Sequence, residues 1–223
     1  MTIRNVMVAS VALAAVMLGA ERFDHQVRNK FFAGFAGDQA ALAEAMKECE
    51  EILAKEPKHA EAMVWYGSGQ LTQSGQLMQT DRQKGIALYS EGLKNLDEAV
   101  ALEPDNVGVR APRAAVVQAV SRFVPVEMQK SLVERVIADY EHTLKLQESH
   151  WDQVGSHPKG ELLFGLADAY SRTGETIKAE SYFARIQTEL PGSVYAKRAA
   201  KWMDTRVPLP IAETRCVGCH TTK

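Results

Sequence analysis

The stretch ELLFGLADAYSRTGETIKAESYFARIQTELPGS, residues 161–193, limits the fold more than any other part of the chain. Its apolar residues recur three and four positions apart, the period of a helix and not of a strand. Leu163, Leu166, Ala167 and Tyr170 fall on one face of a first helix, and Thr173-Gly174 makes a turn. Ala179, Phe183 and Ile186 then line a second helix that stops at Pro191. Neither helix can bury its stripe alone, so the two must pack on each other and on further helices.

The same helix ending recurs upstream. ILAKEPKHA closes at Pro57 and VALEPDNVG at Pro104, matching TELPGSVYA at Pro191. Helix, tight turn, helix and closing proline, with a large apolar residue, Leu, a small residue, an aromatic, Gly, Ala and Phe at these spacings, resemble the tetratricopeptide repeat. Ile186 is bulkier than the small residue usual at its position. The resemblance covers most of residues 28–204 and implies an all-α, helical-hairpin solenoid of the kind that presents a docking groove to protein partners.

The upstream copies are looser. Pro57 and Pro104 stand forty-seven positions apart, against roughly 34 in a plain repeat. The excess falls in SGQLTQSGQLMQTDRQ, Ser68 to Gln83, which contains SGQL twice and reads as a surface loop, with a polar helix extension as the alternative. The first helical pair is expected from Arg28 to Glu56, turning at Gly37-Asp38, with Leu42, Met46, Cys49 and Ile52 facing inward. Cys49 reads as a small buried hydrophobe. A helix from Pro112 to Phe123, broken at Val124-Pro125, and a longer one from Val126 to Gln147 make a stretched repeat, with Val133, Val136, Ile137, Tyr140 and Leu144 on one stripe. Pro158 starts the next helix, and Val194 to Asp204 caps the array.

Both ends of the chain carry other signals. Residues 1–20, MTIRNVMVASVALAAVMLGA, have a polar start with Arg4, an apolar run from Val6 to Leu18 and small residues after it, which reads as an export signal cleaved after Ala20. The run is shorter than the ~20 residues of a spanning helix; Leu18 is large for a cleavage site, so an uncleaved membrane anchor is the alternative. Export implies a periplasmic location. A formal charge of −2 over 223 residues offers no basic stripe for nucleic acid.

The chain ends in RCVGCHTTK. Pro208 and Pro210 keep VPLPIAETR out of the last helix, making residues 205–223 an extended strap that can be laid back over the array. In C-x-x-C-H two thiols, Cys216 and Cys219, can add to the two vinyl groups of a haem while His220 turns its imidazole to the iron. The signature resembles the attachment motif of c-type cytochromes. That resemblance implies one covalent haem c, with Cys216 and Cys219 in thioether bonds and His220 as axial iron ligand. A thiol redox pair or half of a zinc site are the alternatives, but the βαβ setting and the fourth ligand they need are missing.

The second axial position has several candidates: His157 in a Gly-Ser-His-Pro turn where the ring points freely, His150, and Met203 near the strap. An open position is the alternative. Trp202, Trp65-Tyr66 and Trp151 read as core residues rather than a haem border. Asp and Glu read mostly as solvated helix faces, so no catalytic carboxylate pair is nominated, and no hydrolase, phosphate-loop or zinc-protease motif occurs. The expected function is an exported monohaem electron carrier rather than an enzyme, its solenoid docking a redox protein or a membrane-associated redox complex. A periplasmic scaffold or assembly factor with a structural or sensory haem is the alternative, and a peroxidase-like activity requires an open iron face.

Overall fold

The computed structural model describes residues 23–214. Residues 1–20, read above as an export signal, and Cys216, Cys219 and His220 lie outside the described residues. The described chain forms helices α1 (Phe23–Phe35), α2 (Gln39–Lys55), α3 (Ala60–Thr80), α4 (Arg82–Leu102), α5 (Val107–Val120), α6 (Val126–Gln147), α7 (Ser156–Arg172), α8 (Thr176–Glu189), α9 (Val194–Thr205) and the single turn α10 (Ile211–Thr214). A 3-10 stretch, Glu148–Gln153, joins α6 to α7. No strand occurs among the described residues, and none of their helices is long and apolar enough to cross a membrane.

The helices pack as successive hairpins, α1 with α2, α3 with α4, α5 with α6 and α7 with α8. The first helix of each hairpin touches the first helix of the next, from α1 through α3, α5 and α7 to α9, so the hairpins stand in a row over one continuous core. Local chemistry starts and stops them. Asp38, His59, Asp81, Asn106 and Ser193 each accept a hydrogen bond from a backbone N–H of the first turn that follows. Gly174 closes α7 at φ +82°, in the left-handed region where a side chain is strained.

Leu163, Leu166, Ala167, Tyr170, Ala179, Phe183 and Ile186 are all buried, as their spacing predicts. So are Leu42, Met46, Cys49, Val133, Val136 and Tyr140, while Ile52, Ile137 and Leu144 are half-buried against the same core. Trp65 lies in the core against Phe31, at 5.2 Å between ring centres. Trp202 stacks on Phe183 at 4.6 Å.

The segment from Ser68 to Gln83 is not a loop. It completes α3 and begins α4, with one break at Asp81. Gly67, just before the segment, and Gly92 of α4 allow the two helices to touch. A Cβ on Gly67 would stand 2.9 Å from the Gly92 carbonyl oxygen, and one on Gly92 would stand 3.0 Å from that of Gly67. Buried Ser68 and Ser74 donate back to Val64 and Leu71 carbonyls, both at 2.7 Å, so their hydroxyls need no water. Buried Gln70 accepts from Asn95 of α4 at 2.7 Å.

Other boundaries also differ from expectation: α1 starts at Phe23 rather than Arg28, and α7 at Ser156 rather than Pro158. The α5 helix starts at Val107, capped by Asn106, so Pro112 sits inside it rather than at its start, and it ends at Val120 rather than Phe123. Among the described residues the strap is extended from Val207 to Pro210; the carbonyl of Pro210 then accepts from the Glu213 N–H at 2.9 Å and opens the turn of α10.

The acidic residues are not all on solvated faces. Asp139 of α6 is fully buried and accepts from Arg113 Nε and Nη2, each at 2.6 Å, and from Arg110 Nη1 at 2.8 Å. Arg113 reaches on to Asp97 of α4 at 3.0 Å, and Asp97 also takes Arg135 at 2.9 Å. This network joins α4, α5 and α6. Replacing Asp139 by Ala leaves buried Arg113 with only its Asp97 bond and Arg110 without its carboxylate, and is expected to lower unfolding free energy by about 3 kcal/mol, read as the urea midpoint followed by helical circular dichroism.

Candidate functional site

The strap is fastened before it leaves the described residues. Arg206 ends α9 in a left-handed conformation, φ 57° and ψ 21°, which turns the chain back over the helices it has just left. Its guanidinium pairs with Glu180 of α8 at 2.8 Å and lies over the Trp202 ring at 5.2 Å. Leu209, between the two prolines, is 3 % exposed, while Val207 and Ile211 around it stay open to water. Pro208 and Pro210 have no N–H to leave unsatisfied, so the backbone can lie flat here without partners for them.

A second buried carboxylate sets where the strap lies. Asp168 of α7 is 1 % exposed and accepts from Arg122 Nη2 at 2.6 Å through each of its oxygens. Gln118 Nε2 donates to the same carboxylate at 2.9 Å and to the Gly165 carbonyl at 3.1 Å. Held in this way, Arg122 points Nη1 at the Leu209 carbonyl oxygen, 3.4 Å away. Arg172 donates to the Ser121 hydroxyl at 2.8 Å; burial lowers its pKa below the ordinary value, with the Arg122 cation adding to this and Asp168 opposing it. The α10 turn is fixed in its own right, because Lys201 of α9 donates to Glu213. Thr214 therefore ends on α9, one residue before Arg215 and two before Cys216.

The candidate iron ligands differ in setting. His150 is exposed on the 3-10 stretch, its Nδ1 3.3 Å from the Ser149 hydroxyl. Met203 is half-buried and packs on the core. His157 does not point freely: it lies in the first turn of α7, half-buried, with Nδ1 2.9 Å from the Tyr195 hydroxyl. Trp202 donates to the Ser171 hydroxyl at 2.7 Å and Trp151 to Glu189 at 2.7 Å, so both indoles are committed to the helix row.

Two open hollows occur among the described residues. One, of about 520 Å³, is lined by Glu56, Pro57, Lys58, His59 and Glu103 at the hairpin ends. The other, of about 430 Å³, lies between α6 and α8, with Leu144, Trp151 and Tyr182 in its wall. No strap residue lines either. No cluster of three or more metal-ligating side chains occurs among the described residues.

Sequence reasoning missed the strap's footing. Arg122 and Asp168 are separated by 46 positions and carry no motif, and only the contact of α5 with α7 brings them together. No family model matches the chain, and neither does any curated protein or solved structure.

Leu209 is the apolar pin of the strap, and its removal should loosen the strap without unfolding the helices. Leu209→Ala is expected to speed hydrogen exchange of the backbone amides of 211–214 by roughly 30-fold or more, the effect of losing about 2 kcal/mol of burial. Exchange in α7 should stay unchanged, as read by mass spectrometry of peptides.

Proposed function

We propose that this is an exported monohaem c-type cytochrome built on a tetratricopeptide-like array, which docks a redox partner and presents its haem on the C-terminal strap. The observation that carries the reading is the fastening of the strap by Leu209, Arg122 and the Lys201–Glu213 pair, immediately before Cys216-Val-Gly-Cys219-His220. This footing holds the residues that lead directly into the motif.

The donor set fits the group. Cys216 and Cys219 would carry thioether bonds to it and His220 would bind its iron, which together need no other protein ligand for attachment. When bound, the group supplies reversible one-electron exchange. The chain's own residues limit where that exchange takes place. Arg122 and Leu209 hold the strap to the ends of α5 and α7, while Phe123, Val126, Val207 and Ile211, all exposed near this footing, offer an apolar border. Small apolar patches with a charged rim suit the brief contacts of electron-transfer partners.

Cys49 provides an internal reference. It is fully buried, and burial, with Glu48 and Glu50 adding to it, pushes its thiol up to about 12, so it is inert to alkylation near neutral pH. Protein matured in an export-competent, haem-attaching host is expected to show a low-spin c-type absorption spectrum when reduced. It should have no reactive thiol when folded and one when denatured. Three thiols on denaturation, with no haem absorption, would sink the reading. Electron delivery that survives Cys216→Ala with Cys219→Ala would instead favour the scaffold reading, in which haem is structural or sensory.

A further inference from the structure

The hollow between α6 and α8 carries charged groups that the strap's footing does not use. Both helices pack on α7, and a space of about 430 Å³ opens between their exposed stripes. Glu141, Leu144, Lys145 and Glu148 recur three and four positions apart along one wall. Tyr182 and Arg185, three apart on α8, line the other, with Trp151 of the 3-10 stretch beside them. The volume suits a small molecule.

Arg185 is held in place but not used up. Its Nε donates to Glu189 at 2.8 Å, the other oxygen of Glu189 accepts from the Trp151 indole at 2.7 Å, and the guanidinium lies over that ring at 5.3 Å. Its two terminal nitrogens hydrogen-bond no described residue. A planar guanidinium fixed at one edge, with both end nitrogens unspent, is a fork that takes a carboxylate through two parallel bonds.

The opposite charge stands one helical turn away. Glu141 accepts from the Tyr170 hydroxyl through Oε1, which leaves Oε2 without a described partner. Tyr170 in turn stacks on Tyr182, 5.8 Å between ring centres, so Glu141 lies at the level of Tyr182. Arg185 stands three residues beyond Tyr182, about 4.5 Å along the helix axis. The Tyr182 hydroxyl senses both groups: burial raises its pKa, Glu141 adds to this, and Arg185 and Lys178 oppose it. Lys178 itself pairs with Glu175 at 2.9 Å.

Glu141 and Arg185 thus share one hollow, each with unspent hydrogen-bonding atoms, yet do not pair with each other. A lone anion here would meet Glu141 and Glu148, and a lone cation would meet Arg185 and Lys145. A ligand that carries both charges close together meets neither penalty. Leu144 and the Tyr182 ring add apolar wall beside them.

We infer that this hollow binds a free α-amino acid with an apolar side chain, its carboxylate in the Arg185 fork, its ammonium on Glu141 and its side chain against Leu144 and Tyr182. The inference goes beyond the haem reading and does not depend on it.

The test is equilibrium dialysis of the mature full chain against radiolabelled L-phenylalanine. One saturable site is expected, with Kd on the order of 1 mM, as suits a small ligand in an open hollow. Phenylalaninamide, which lacks the carboxylate, and N-acetylphenylalanine, which lacks the ammonium, should compete at least roughly tenfold more weakly. Arg185→Lys keeps the charge but removes the fork, and Glu141→Gln keeps an oxygen for Tyr170 but removes the charge; each should weaken phenylalanine roughly tenfold. Glu141→Gln should leave competition by N-acetylphenylalanine unchanged, since that probe has no ammonium to lose. No saturable binding overturns the inference, as does equal competition by all three compounds, which would mean apolar contact alone. Phenylalanine affinity unchanged in either variant overturns it too. None of these results bears on whether the protein carries haem.

Discussion

The position of the C-terminal strap depends on one buried carboxylate. Asp168 sits in α7, at 1 % exposure, where an unpaired charge would be costly. Arg122 meets that need from α5 with two bonds of 2.6 Å, and Gln118 adds a third. With Nη2 held by the carboxylate, Nη1 of the planar guanidinium is directed at the Leu209 carbonyl oxygen. The charge that ties two hairpins together thus also helps set where residues 207–210 come to rest. Asp139 serves in a similar way one hairpin earlier, joining α5 to α6. The row is therefore held by apolar stripes within each hairpin and by buried ion pairs across its second half.

Apolar periodicity made the helices and their inner faces legible in the sequence, because burying a stripe is a local, repeating demand. The residues from Leu163 to Ile186 needed nothing beyond their own spacing. The buried ion pairs were not legible in the same way. Asp139 and Asp168 look like any other charged helix residue, and what distinguishes them is a partner many positions away that only the packed hairpins supply. His157 was legible as a candidate by type alone. Its contact with Tyr195, made over Gly160, joins two helices and is visible only where those helices touch.

The segment 68–83 misled for a different physical reason. Gly, Ser and Gln are turn formers where the backbone faces water, since they offer conformational freedom and local hydrogen bonds. Between two closely approaching helices the same properties have another use. Gly67 and Gly92 remove the side chains that would hold α3 and α4 apart, and Ser68 and Ser74 satisfy their own hydroxyls inside the helix. The signal that could have separated the two readings is the absence of proline and the pairing of Gly67 with Gly92 across the break at Asp81.

The footing of residues 207–214 is built wholly from groups that precede it in the chain: the hairpins, the Asp168 network and Lys201. The row presents a finished surface to which a short, proline-stiffened strap is pinned. The residues that pin it are few, and they lie where the strap touches the row: Arg122, Leu209, Lys201 and Glu213.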